Sequence, residues 1–230
     1  MTDKMDRNGR EARLQAAAAA LGLGQLDEAA VGRLLSYLEL LQRWNKVYNL
    51  TAVRDPDEML QRHLIDSLAL LPALRAHSAA QGDAPIDLLD VGSGGGLPGL
   101  VIASVQPDWS VTCVDAVAKK ATFIRQVAAE LGLTRVMALH ARVENLSRQW
   151  PLITSRAFAS LADFTQLTRS LLAPQGCWVA MKGQMPQAEI DALAPGIEVF
   201  HVEPLQVPGL DAQRCLIWMR QSGPSEEAAA

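Results

Sequence analysis

Cysteine is scarce in this chain of 230 residues. Cys113, Cys177 and Cys215 each fall inside an apolar run, and no C-x-x-C pair or Cys/His ligand spacing accompanies them. That pattern gives no metal site and predicts buried, reduced thiols in a cytoplasmic protein. Long apolar runs are missing as well, so nothing approaches transmembrane length. The alanines at 16–20 form only a short run, and Asp3, Asp6 and Glu11 spoil any signal-peptide start. No internal repeat is visible. Positive charge is not in surplus: the net charge is -4 and the pI about 5.6. This argues against nonspecific coating of nucleic acid, while leaving room for a local basic patch.

What remains is ordinary globular composition, 49% hydrophobic and 20% charged, enough for one good-sized domain with an appendage. Residues 1–10 read as disordered. A helical pattern starts at Glu11 and breaks at Gly22 and Gly24. Asp27 is a plausible N-cap for a second helix with Val31, Leu34, Leu35, Leu38, Leu41 and Trp44 on one face. After a turn at Asn49-Leu50-Thr51, Asp55-Pro56-Asp57-Glu58 starts a third helix, with Asp55 as N-cap and Glu58 closing a capping box. It is expected to run through His63 to about Leu71. Residues 73–85 then read as a linker, so 1–85 form a helical lead-in packed on a main domain of 86–220, with 221–230 as a flexible tail.

Strand and helix alternate from there. The expected strands are Ile86 to Val91, Ser110 to Asp115, Val136 to Ala141, Leu152 to Arg156 and Cys177 to Lys182. A closing hairpin follows, Glu198 to Glu203 and Arg214 to Arg220. Alternating βα units predict an α/β doubly wound sheet. Together with the terminal hairpin they resemble the class I methyltransferase fold, Rossmann-like, with a seven-stranded, mostly parallel sheet.

The chemistry centres on Asp90-Val91-Gly92-Ser93-Gly94-Gly95-Gly96-Leu97-Pro98-Gly99, where a strand ends and a helix follows. Ligands of open α/β sheets lie outside the carboxyl ends of the strands. A dinucleotide loop, G-x-G-x-x-G counted from Gly92, would need glycine where Leu97 stands. Counted from Gly94 the spacing fits through Gly99, but Pro98 interrupts the helix start. Asp90-x-Gly92-x-Gly94-x-Gly96 instead resembles the first motif of methyltransferases that use S-adenosyl-L-methionine (AdoMet). On that resemblance Asp90 lies near the methionine end of the cofactor. Asp115 ends the second strand about twenty residues further on, where an acid can accept from both ribose hydroxyls. Capping the helix near Val117 is its structural alternative, and both roles can coexist.

Arg156 follows strand four, where amino-group methyltransferases carry an Asn/Asp-Pro-Pro-aromatic motif that is missing here. The cysteines lie within strands, away from any role as a C5-methylation nucleophile. Lys119, Lys120, Arg125, Arg142, Arg156, Lys182, Arg214 and Arg220 sit on different elements; gathered on one rim they would form a phosphate-binding groove. Singly, each reads as a solvated charge. His63 and Asp66 lie one helical turn apart and read as a structural pair. His77, His140 and His201 lack ligand spacing, so no metal is expected.

Taken together, the chain resembles the bacterial GidB/RsmG family, rRNA guanine-N7 methyltransferases of the small subunit. The resemblance is carried by Trp44-Asn45-Lys46 through Asn49-Leu50-Thr51-Ala52, by Arg62-His63-Leu64-Ile65-Asp66-Ser67-Leu68, and by Asp90 to Gly99. Ser155-Arg156-Ala157-Phe158-Ala159-Ser160-Leu161 and Lys182-Gly183 complete it. It implies AdoMet contact by Gly92, Gly94, Gly96, Leu97, Asp115, Val143, Glu144 and Arg156. It further implies methylation of N7 of a guanine in the 530 loop of 16S rRNA, naked or within the small ribosomal subunit, with Lys119, Arg142 and Arg214 facing RNA. Relatives often carry proline at the place of Gly95, and glycine there predicts a looser loop. N7 has a lone pair and no proton, so the reaction needs positioning and charge stabilisation, with no general base and no covalent nucleophile. A small-molecule methyltransferase of the same fold and a noncatalytic rRNA-binding module are the alternatives.

Overall fold

Asp6 opens the first helix. Its carboxylate accepts from the Gly9 amide at 2.8 Å, so α1 spans Arg7–Ala20 and begins earlier than the sequence pattern predicts. The computed structural model describes residues 6–156, 158 and 160–222. Residues 1–5, Ala157 and Ala159, and most of the expected tail (223–230) lie outside them. Asp27 caps α2 (Glu28–Tyr48) through the Ala30 amide. Asn49 ends it in the left-handed region, at φ 52°, a conformation that asparagine tolerates. All the expected apolar positions of α2 except Trp44 are buried, and Trp44 is half-buried.

The third helix starts as expected, with Asp55 accepting from the amides of Asp57 and Glu58. It does not continue as a regular helix. After α3 (Pro56–Met59) the chain widens into a π-helical stretch, Leu60–Ile65, before α4 (Asp66–Leu68). Residues 73–85 are largely helical too, as α5 (Leu71–Ala80). Pro72 suits its first turn, and Leu71 and Leu74 are buried.

The sheet comprises β1 (Asp87–Val91), β2 (Ser110–Asp115), β3 (Val136–His140), β4 (Trp150–Ser155), β5 (Leu172–Lys182), β6 (Ile197–Leu205) and β7 (Arg214–Gln221). Its order is β3-β2-β1-β4-β5-β7-β6. β1 to β5 pair in parallel, and β7 runs antiparallel to both β5 and β6. This is the fold expected of a class I methyltransferase. The strand order reverses between β1 and β4, and there the carboxyl ends open a crevice.

Side-chain alternation divides β1 between two cores. Leu88 joins the cluster built from α1, α2, α6 (Gly99–Val105) and α7 (Ala118–Glu130). Leu89 and Val91 join the cluster under α8 (Leu161–Thr168). The first cluster runs without a break from Leu14 through Leu100 to Trp218. The lead-in helices and the sheet therefore share one interior. All three cysteines are free and buried, and burial raises each thiol, Cys177 to about 12. Among the described residues no helix is long and apolar enough to cross a membrane.

Candidate functional site

Beyond β1 the chain turns sharply, and Gly92, Gly94 and Gly96 take positive φ values of 69°, 58° and 91°. Side chains rarely adopt such angles, so glycine leaves the backbone bare at the strand end. The turn is anchored from below: the amides of Gly92 and Ser93 both donate to the Val114 carbonyl. It is also anchored from the side, because the buried Tyr37 hydroxyl of α2 donates to the Gly95 carbonyl at 2.7 Å. Burial keeps that phenol protonated by pushing its pKa well up. The loop is thus also tied to α2 at Gly95. A Cβ at Gly95 would come within 3.2 Å of Leu41. The Leu97 side chain is buried in the core.

Asp90 lies behind this loop. It points into the α6 side of the sheet, fully buried, and accepts from the Gly99 amide at 2.9 Å. Its other oxygen has no partner among the described residues. Burial raises its pKa to about 7, partly offset by the Gly99 amide. The acid therefore acts as a strut beneath the loop and the start of α6. Gly99 must stay small, since a Cβ would sit 2.5 Å from Cys113 Sγ and 2.8 Å from the Asp90 carboxylate.

Asp115 ends β2 and does two things at once. One oxygen accepts from the Gly94 amide at 2.9 Å, the other from the Val117 amide at 2.8 Å. Helix capping is therefore present, and the same carboxylate ties the glycine loop to β2. A carboxylate has about four lone-pair sites, so capacity remains for further donors. Lys120 approaches it at 3.7 Å. After β3, Val143 is buried and Glu144 exposed, in one turn of 3-10 helix. Arg142 precedes them, exposed and 3.7 Å from Glu144, and Lys119 is exposed at the start of α7.

At the end of β4, Ser155 Oγ donates to the Val91 carbonyl at 2.9 Å, which sets Arg156 beside the glycine loop. Arg156 does not point freely outward. Its Nη1 donates to the Arg62 carbonyl at 2.9 Å and to Asp66 at 3.2 Å. Arg214, opening β7, donates through Nε to the other Asp66 oxygen at 2.8 Å. Lys182, ending β5, pairs with Glu189 at 2.8 Å. His63 bonds Thr51 Oγ1 through Nε2 at 2.8 Å, and its Nδ1 has no partner among the described residues. Burial first and Arg156 second lower its pKa to about 4, so it is neutral at pH 7. Next to Arg214 a cleft of about 1170 Å3 opens between Gly183–Met185 and the β6–β7 connection.

A family model for GidB, described as rRNA small subunit methyltransferase G, matches residues 31–217. The chain belongs to the GidB family. It is 64% identical to the ribosomal RNA small subunit methyltransferase G of Leptothrix cholodnii over 208 residues, 90% of this chain and 94% of that one. It is 58% identical to the protein of that name from Methylibium petroleiphilum, over 91% and 94% of the two chains. Among solved structures it resembles the N-methyltransferase NodS of Bradyrhizobium japonicum, in complex with S-adenosyl-l-homocysteine. There the TM-score is 0.54 at 14% identity, over 79% of this chain and all of that one. As a GidB member the chain is an rRNA methyltransferase.

Placed on this GidB fold, the residues expected to meet the cofactor gather around β1 to β4: Gly92, Gly94, Gly96, Asp115, Val143, Glu144 and Arg156. The basic residues gather only in part. Lys119, Lys120, Arg142, Arg156, Lys182 and Arg214 lie near the carboxyl edge. Arg220 sits at the opposite end, paired with Glu198 across the β6–β7 ladder, because β7 runs antiparallel. Arg125 lies further along α7, beside a shallow hollow next to β3. Helical spacing pairs Asp66 with His63, whereas the structure pairs it with the two arginines. Nothing in the sequence singles out Tyr37, whose polar tip is hidden in an apolar helix pattern. Among the described residues no group of three acidic, His or Cys side chains could hold a metal ion.

Proposed function

We propose that this GidB member transfers a methyl group from AdoMet to N7 of a guanine in the 530 loop of 16S rRNA, in the cytoplasm. The cradle of Gly92, Gly94 and Gly96 with Asp115 beyond it fits the cofactor: bare backbone at the strand end, and a carboxylate with acceptor capacity to spare. Gly92, Gly94 and Gly96 would pass beneath it, Asp115 would take its ribose, and Leu97, Val143, Glu144 and Arg156 would complete its surroundings. When bound, AdoMet supplies an electrophilic methyl group.

The observation that carries the N7 reading is the absence, among the described residues, of an exposed cysteine nucleophile at this edge. His63 is held neutral with a pKa of about 4, and the cysteines are buried thiols. C5 chemistry needs a thiolate nucleophile and amino-group methylation an Asn/Asp-Pro-Pro-aromatic motif that this chain lacks after β4, whereas N7 attacks with its own lone pair. The chain's contribution is to orient the base, through the fixed donors of Arg156 and the neighbouring arginine. Lys119, Arg142 and Arg214 face the RNA.

N7-methylguanine carries a ring charge that opens it to reduction and aniline cleavage. Treated rRNA should therefore break at one position, and the single-turnover rate should stay nearly flat from mild acid to mild base. A methylated product resistant to cleavage, or a methyl on a cytosine or ribose, would overturn the reading.

A further inference from the structure

We propose that Asp66 is a positioning residue for methyl transfer. From the helical lead-in, it fixes Arg156 and Arg214 relative to each other and cancels one of their two charges toward RNA. The proposal rests on the carboxyl edge being the methyl-transfer site.

Three distant pieces of chain meet at this carboxylate. Its side chain is 4% exposed, and it receives Arg214 Nε at 2.8 Å on one oxygen and Arg156 Nη1 at 3.2 Å on the other. The Arg62 carbonyl takes the same Nη1 at 2.9 Å, so the backbone leading to Asp66 helps hold Arg156. The stretch Leu60–Ile65 is π-helical and ends directly before Asp66. Each residue added to a turn rotates the remainder of the helix by roughly 100°. Wide turns of this kind often occur at functional sites.

The two arginines are held without being used up. Their side chains are 18% and 23% exposed. Among the described residues Arg156 spends only Nη1, and Arg214 spends Nε and Nη1, the latter on the Gln213 carbonyl. A guanidinium has five N–H donors in a rigid fork. Arg156 therefore keeps Nε and Nη2, and Arg214 keeps Nη2, in directions that the Asp66 bonds determine. Such a fork recognises a planar or bidentate acceptor only when its orientation is set. One guanidinium adjoins the glycine loop, and the other lines the cleft beside Gly183–Met185. A base or phosphate between them would meet donors already aimed.

A carboxylate that merely stabilised the fold would, on removal, weaken everything together. Positioning combined with charge cancellation predicts a split. Asp66→Asn changes the trio from one net positive charge to two. RNA binding should become tighter at low salt, and the slope of log affinity against log salt should steepen by about one. The rate at saturating AdoMet and rRNA should fall about tenfold to a hundredfold, because the freed forks lose their aim. The test is single-turnover methylation and a salt titration of binding, using the full chain and small-subunit rRNA in the form the wild type methylates. A slower rate with a steeper slope supports the proposal. An unchanged rate, or a rate loss accompanied by weaker binding with an unchanged slope, overturns it. Should Asp66→Asn not fold, Arg214→Lys decides: charge and slope persist while the rate falls, and a wild-type rate overturns the proposal. Failure of the wild type to methylate rRNA at all would instead remove the functional reading.

Discussion

Along the carboxyl edge, the strands β1 to β3 and the strands β4 to β7 hold their charges in different ways. On the β1–β3 side, Lys119 and Arg142 are exposed, the carboxylates of Glu144 and Asp115 approach Arg142 and Lys120 only at 3.7 Å, and Asp115 is bonded to backbone amides. On the β4–β7 side, Arg156, Lys182 and Arg214 are all held by carboxylates from other elements. The first arrangement suits long-range attraction, which acts through exposed charge and is screened by salt. The second suits orientation, in which direction matters more than net charge. A count of lysines and arginines would treat the two sides alike.

The strongest way to break this contrast lies in the loop itself. Gly94 is at φ 58°, a left-handed angle that aspartate tolerates, and the nearest atom to an added Cβ is a backbone oxygen 3.9 Å away. Gly94→Asp should therefore fold, yet place a second anion beside Asp115. AdoMet affinity should drop about a hundredfold or more, roughly 3 kcal/mol. Calorimetric titration beside a thermal melt reads both quantities; wild-type affinity in a folded variant would end the cofactor assignment.

Next come the cations. Arg156→Ala should lower the single-turnover rate about tenfold or more, since it removes a fixed donor at the reaction edge. Lys119→Ala and Arg142→Ala should leave that rate alone and flatten the salt slope of RNA binding by about one each. If all three variants changed slope and rate in the same proportion, the two sides would not differ.

The smallest expected effect concerns Asp90. Its folded pKa of about 7 exceeds the ordinary 3.8, so the folded chain binds this proton more tightly than the unfolded chain does. Its contribution to stability is fully present below the unfolded value and is lost as pH rises through the folded one. Asp90→Asn can still accept from Gly99 and has no proton to lose. The melting temperature of the wild type should fall, relative to that of the variant, between about pH 4 and about pH 7. Parallel curves would show that Asp90 does not titrate there.

Much of this was legible in sequence, for reasons particular residues make plain. Asp27, Asp55 and the glycine run act locally, so their roles follow from neighbours a few positions away. Strand ends came out within a residue or two wherever an apolar run met a polar boundary, as at Ser110 and Asp115. The π-helical stretch was not legible, because the apolar spacing from Leu60 to Ile65 suits an ordinary helix. Nor was the bridge from Asp66 to Arg214, whose partners are 148 positions apart. The position of Arg220 required the direction of β7, which pairing determines and composition does not. Asp90 was expected near the cofactor; strand alternation turns it to the α6 side, beneath the loop.

That separation along the chain also orders the site in time. Tyr37 reaches Gly95 across 58 positions and Asp66 reaches Arg214 across 148, and chains emerge from synthesis amino end first. The lead-in helices are made early, with part of α2 lacking cover until α6 and α7 arrive. The glycine loop can be pinned midway through synthesis, but the second guanidinium comes only with the antiparallel strand inserted between β5 and β6. A nascent chain thus acquires its cofactor cradle well before its reaction edge. The reaction edge becomes complete only when β7 has been delivered.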